Sequence, residues 1–107
     1  MATLIGSEKQ VAWAESIRCA MISAVEKAND KLSEKQKAAW EEILEVRDSA
    51  AWWIDRRSTS PKYLIYLHRA GKALGRDEEE LFSLGADAVG QLMQEHNLKR
   101  KESEVKA

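Results

Sequence analysis

Few side chains in this sequence are of the kind that make or break covalent bonds. Cys19 is the only cysteine, and His68 and His96 are the only histidines. A thiol becomes a nucleophile when a neighbouring base or cation lowers its pKa. Cys19 falls on the side of its helix away from the apolar stripe, and no such neighbour is indicated. The two histidines lack the cysteine or carboxylate spacing of a zinc site. The stretch AGKALG, residues 70–75, has the glycines and lysine of a phosphate loop but neither the Walker spacing nor a preceding strand. Glu41, Glu42, Glu45 and Asp48 read as solvated helix surface rather than as an acid–base pair. The expectation is a protein with no catalytic residues, no cofactor and no metal.

Binding is better served by the residues present. At 3.6 residues per turn, Lys62, Tyr66, Arg69 and Lys72 share one side of a helix, with Arg56 and Arg57 just upstream. Cations along a face with an aromatic between them can grip phosphates and stack on a base. Against this, Glu78, Glu79 and Glu80 follow closely and would repel a phosphate backbone. They also count against a helix-turn-helix, whose second helix presents its N-terminal end to DNA. The other candidate is Trp52. Neighbouring residues on a helix diverge by about 100°, so with Trp53 at the edge of an apolar stripe Trp52 points away from it. Its helical neighbours are Glu41, Glu45, Asp48 and Arg56. This geometry predicts an exposed aromatic in a mainly acidic surface, the composition of a protein-interface anchor, unless another element covers it. Arg47 falls inside the stripe, where it must extend its charge past the edge or pair with a carboxylate.

The elements that position these residues begin with an echo. The tetrapeptide SEKQ occurs at Ser7–Gln10 and at Ser33–Gln36. Ser-x-x-Gln is a capping box, in which the serine oxygen accepts from a backbone N–H near the glutamine while the glutamine reaches back to the serine N–H. Each copy predicts a helix start. After the first, Trp13, Ala14, Ile17, Ala20, Met21, Ala24, Val25 and Ala28 fall within roughly 140° of arc. After the second, Ala39, Trp40, Ile43, Val46, Ala50, Trp53 and Ile54 form a similar stripe that ends before Ser58–Pro61. The linker NDKL suits a helix end and tight turn, which sets the two helices antiparallel. A third helix follows from Ser60 as N-cap and Pro61 at the first position, with Gly75 as its stop and Gly71 allowing close packing. A fourth starts at Asp77, with Glu80 completing a capping box. Leu81, Phe82, Gly85, Ala88, Val89, Leu92, Met93 and His96 form its apolar face. Capping chemistry explains most of the SEKQ echo, and duplication is not required.

Composition agrees with one small domain. The chain has 107 residues, 44% hydrophobic and 33% charged, with one Pro and five Gly. A lone cysteine rules out an intrachain disulfide and fits a reducing compartment. The first ten residues lack the basic start and apolar run of a signal peptide, and no apolar stretch approaches a membrane span. A cytoplasmic location and no membrane contact are therefore expected. The net charge of −1 conceals a contrast: residues 55–76 carry six basic residues against one acidic, while residues 77–96 carry six acidic residues and no basic one. That pattern is as compatible with pairing inside the chain as with an external polyanion.

The segments GSEKQ and WAESIR, followed by AAWWIDRR, resemble a group of short proteins encoded by bacteriophages and bacterial mobile elements. The match covers about the first half of the chain and brings no assigned catalytic or binding residue. It implies a mobile-element origin, and such elements often carry small inhibitors of host defence, anti-CRISPR proteins among them.

The expected architecture is all-α, a compact bundle of about four helices over residues 1–97, with a charged, disordered tail at 98–107. The expected function is a non-enzymatic protein-interaction module of a phage or mobile element that inhibits a host nucleic-acid enzyme. Its interface candidates are Trp52, Glu41, Glu45, Asp48 and Arg56. The alternative is direct nucleic-acid binding through Arg56, Arg57, Lys62, Tyr66, Arg69 and Lys72. Nothing in the sequence sets an oligomeric state.

Overall fold

Both SEKQ boxes close as their chemistry requires. Ser7 Oγ accepts from the Gln10 N–H at 3.2 Å while Gln10 Oε1 accepts from the Ser7 N–H at 3.1 Å. Ser33 and Gln36 repeat the exchange at 3.1 and 2.8 Å. These caps start helices α1, Glu8–Lys27, and α2, Glu34–Val46, joined through a 3-10 turn at Asn29–Lys31. The computed structural model describes the backbone of residues 1–106 and the side chains of residues 1–102. Among them are four further helices: α3, Ala50–Asp55; α4, Pro61–Leu74; α5, Glu78–Leu84; and α6, Ala86–Lys106. The chain is all-α. No helix among the described residues is long and apolar enough to cross a membrane.

Six helices stand where about four were expected, because two expected helices each break once. The first break replaces a helical turn at Arg47–Ser49. Arg47 has φ −89° and ψ 93°, and Ser49 has φ −80° and ψ 120°, both extended. The polar groups freed by the break find partners in the N-terminal segment: the Ile5 N–H donates to the Asp48 carbonyl at 2.7 Å, and the Ala50 N–H to the Ile5 carbonyl at 2.9 Å. This isolated parallel bridge between Ile5 and Ser49 is the only strand-like pairing among the described residues. The Trp53 indole N–H donates to the Arg47 carbonyl at 3.1 Å, and Ser49 Oγ caps α3 by accepting from the Trp52 N–H. A buried backbone group without a partner is costly, so a break of this kind persists only where each group is satisfied in another way.

The second break falls at Gly85, whose φ of 92° and ψ of 165° lie in a region nearly closed to other residues. Beyond it α6 runs to Lys106, so residues 98–106 are helical where a disordered tail was expected. Ala107 lies outside the described residues. At Asp77 the cap differs in detail from the expected box: the carboxylate accepts from the Glu79 N–H at 2.8 Å, and Glu80 pairs instead with Arg76 at 2.9 Å.

The chain divides into two compact units, Met1–Tyr66 and Leu67–Ala107. The core of the first contains Leu4, Ala14, Met21, Trp40, Ile43, Ala50, Trp52, Trp53, Leu64 and Ile65. Its centre is a chain of indoles meeting edge to face, Trp40 to Trp53 at 6.2 Å and Trp53 to Trp52 at 4.9 Å between centroids. Such pairs contribute ~0.5–1.5 kcal/mol each beyond the area they bury. In the second unit Leu67, Ala70, Leu81 and Val89 are buried. A Cβ on Gly71 would come within 3.1 Å of the Arg76 carbonyl and 3.2 Å of the Glu78 side chain. Glycine there permits the close approach that the sequence suggested.

Candidate functional site

The break before α3 decides the fate of Trp52. In one straight helix continued from α2, Trp52 would lie on the side opposite Ile43 and Ala50 and point outward. A separate short helix, entered through the extended residues 47–49, instead turns a different face inward: Ala50, Trp52, Trp53 and Arg56 lie within about 160° of arc and are all buried. Trp52 is 8% exposed, which overturns its assignment as an exposed anchor. Its ring lies between two guanidiniums, Arg56 at 4.4 Å and Arg47 at 5.0 Å from the centroid. Arg56 is buried too, with Nη1 donating to the Trp52 carbonyl at 3.2 Å, so it is withdrawn from both candidate surfaces. Of the remaining interface candidates, Glu41, Glu45 and Asp48 are exposed as expected. They no longer surround an aromatic.

Trp13 moves the other way. The stripe on α1 placed it among buried residues, yet it is 50% exposed. The buried face of α1 centres on Ala14, Arg18 and Met21, rotated by roughly 60° from the apolar stripe. Arg18 accounts for the rotation. Its Nη1 donates to the Ala2 carbonyl at 2.7 Å, so the N-terminal segment draws a cation inward on a side that hydropathy assigns to water. Ala20 and Ala24 are exposed in consequence. Together with Trp13 they form the floor of a trough.

The trough consists of two adjoining recesses of the first unit that share Ala24 and Pro61. One, of about 380 Å³, lies between Trp13, Ile17, Ala20 and Met21 of α1 and the segment carrying Arg57, Thr59 and Pro61. The other, of about 160 Å³, is lined by Val25, Ala28 and Leu32 on one side and by Pro61 and Ile65 on the other. Pro61 stands at the mouth of both because the Ser60 cap starts α4 there, with the Tyr63 N–H donating to Ser60 Oγ at 3.2 Å. Arg57 is fixed by donation from Nη1 to the Ile54 carbonyl at 2.8 Å, which holds its guanidinium 5.3 Å from the centroid of Trp13. An apolar floor beside a half-exposed indole can bind apolar side chains.

No protein-family model, curated protein or solved structure matches the chain.

The basic candidates separate by burial. Lys62, Arg69 and Lys72 are exposed on α4, Tyr66 is 37% exposed, and Arg57 is exposed over Trp13. Tyr66 stacks on Tyr63 with centroids 6.1 Å apart and planes 28° from parallel. The Tyr63 phenol is pushed above its ordinary pKa by burial and by the neighbouring Tyr66.

In the second unit the structure joins two residues that spacing did not associate. His68 is 4% exposed, and its Nδ1 meets Glu78 Oε1 at 2.5 Å. The pair ties the middle of α4 to the start of α5 across the turn at Gly75, whose φ is 65°. No helical period links positions 68 and 78, so only the turn geometry could have suggested it. Cys19 is exposed. Among the described residues no three or more His, Cys, Asp or Glu side chains are grouped to hold a metal ion.

Proposed function

We propose that this protein is a binding module that acts by covering part of another protein, without chemistry of its own. The observation that carries the reading is Trp13, a large aromatic left half in solvent beside an apolar trough. Scattered exposed apolar residues need no explanation, but an indole at the head of a continuous apolar recess has the composition of an interface hot spot. The surface therefore lies on α1 rather than around Trp52. The resemblance of the first half of the chain to phage and mobile-element proteins suggests the class of partner: a host nucleic-acid enzyme, inhibited by occlusion in the manner of an anti-CRISPR protein.

Affinity capture from a bacterial lysate, with and without nuclease, tests the reading. A captured protein should survive nuclease and be lost with Trp13→Ala. Capture that is indifferent to Trp13→Ala would remove the trough from consideration.

A second reading is direct nucleic-acid binding along α4, supported by the exposure of Lys62, Tyr66, Arg69 and Lys72 on that helix. It requires capture to be abolished by nuclease, to weaken steeply with salt, and to be lost when Lys62, Arg69 and Lys72 are neutralised together.

A further inference from the structure

The trough has a charge as well as a shape. Of the residues that line its two recesses, three are ionisable, Lys31, Arg57 and Lys62, and all three are cations. The edge of α1 that borders it continues the pattern. At 3.6 residues per turn Lys9 and Lys27 share one angular position next to Ala20, whereas Glu8, Glu15 and Glu26 lie about 100–120° from them around the helix. An apolar floor is thus bordered by Lys31, Arg57 and Lys62, with Lys9 and Lys27 toward the two ends of its α1 edge. Another recess of the same unit, bounded by Ile22, Val25, Trp40 and Leu44, is lined by both signs, Lys37 with Glu26 and Glu41.

The backbone around the trough limits the form of what can bind. Its floor is helix α1, whose amide groups are satisfied within the helix, and no sheet edge borders it. An extended peptide would lay its own N–H and C=O groups against apolar side chains with nothing to pair them, which is costly. A helix brings its backbone bonds with it and offers only side chains. From Trp13 to Ala28 the floor runs about 22 Å, the length of roughly four helical turns.

We propose that the trough binds an acidic amphipathic helix of the partner protein, with its apolar face on Trp13, Ala20 and Ala24 and its carboxylates toward Lys31, Arg57 and Lys62. The proposal rests on the reading of α1 as a docking surface and adds the chemistry of what docks.

The test uses two labelled peptides of about four turns, one with leucine at helical i, i+3, i+4 and i+7 spacing and glutamate on its other face, the other with lysine in place of each glutamate. Fluorescence anisotropy with the full chain should show the acidic peptide binding about tenfold or more tightly than the basic one, with the gap closing as salt is raised. The Lys31→Glu/Arg57→Glu/Lys62→Glu variant, checked for an unchanged denaturation transition, should reverse the order. Trp13→Ala should weaken the acidic peptide by about tenfold while leaving the helical circular-dichroism signal intact. Equal affinity for both peptides overturns the acidic preference but not the docking surface. Binding of the acidic peptide that survives the triple charge reversal places it elsewhere and overturns the proposal. If neither peptide binds, the helical occupant is wrong, while the docking reading is judged separately by lysate capture with Trp13→Ala. A concentration-dependent dimer abolished by Trp13→Ala would assign the trough to a second copy of the chain, with the same consequence for the proposal.

Discussion

The first unit holds two indoles that each meet an arginine, and they differ in what else surrounds them. Trp52 lies between the guanidiniums of Arg47 and Arg56 and touches the Trp53 ring, with almost no surface left to solvent. Trp13 has the guanidinium of Arg57 over its ring and keeps half its surface exposed. A cation over an aromatic contributes ~0.5–1 kcal/mol at an exposed site and ~2 or more where both are desolvated. The same contact therefore holds α3 in the core at one place and merely orients a free surface at the other. The difference teaches that the worth of an arginine–tryptophan contact is set by what else is packed on the ring.

Substitutions can break or sharpen that contrast. The largest effect is expected at the buried pair. Trp53→Ala removes a fully buried ring with two edge-to-face contacts and should cost ~3–5 kcal/mol, with Trp52→Ala close behind at ~3 kcal/mol, read as shifts of the urea midpoint at constant slope. A Trp52→Ala variant as stable as the parent would return Trp52 to the surface and dissolve the comparison. Gly85→Ala provides a reference in the second unit. Space for a methyl group exists there, so the expected loss of ~1–3 kcal/mol measures backbone strain alone.

Replacement by phenylalanine should separate the two core indoles from each other. The Trp53 N–H holds the Arg47 carbonyl at the helix break, whereas the buried Trp52 Nε1 has no hydrogen-bond partner among the described residues. Trp53→Phe should therefore exceed Trp52→Phe by ~1–2 kcal/mol in thermal or chemical denaturation. Ser7→Ala and Ser33→Ala should each cost ~1 kcal/mol, and if neither shifts the midpoint the caps are not holding these helices. Smallest of all should be Trp13→Ala, at ~0.5 kcal/mol, although the same variant is expected to abolish partner capture. A loss comparable to that of Trp52→Ala would show that Trp13 is part of the core after all.

Much of the helical framework was legible in the sequence because its signals are local. Ser7, Ser33 and Ser60 cap helices within three residues of themselves, and Gly75 takes the left-handed conformation that stops α4. What could not be read depends on residues distant in the chain. Ser49 is a local N-cap signal for α3, but it sits inside an unbroken apolar stripe, and the groups that make the break tolerable include Ile5, more than forty positions away in sequence. The rotation of α1 that exposes Trp13 follows from Arg18 bonding to the Ala2 carbonyl, a contact against the hydropathy pattern. Both departures from the periodic pattern, Trp52 buried and Trp13 exposed, trace to the segment before the first cap. A periodicity argument treats each helix as having one partner face, and that segment supplies a second.

The bridge between Ile5 and Ser49 also bears on the order in which the first unit is made. Helices α1 and α2 have their caps within themselves and can begin to form as they emerge from the ribosome. The extended turn at residues 47–49 cannot be completed from local sequence, and Ile5 must wait through the synthesis of both helices for its pairing. Closing that long loop costs entropy before any contact of α3 offsets it, which places the step late and makes it slow relative to helix formation. Until it closes, Leu4, Trp52 and Trp53 are not held against Ala14, Met21, Trp40 and Ile43 of the first two helices. The last of the first unit's core to consolidate is thus the part richest in aromatic surface, and nascent chains that stall between residues 50 and 66 would be the species most prone to associate wrongly.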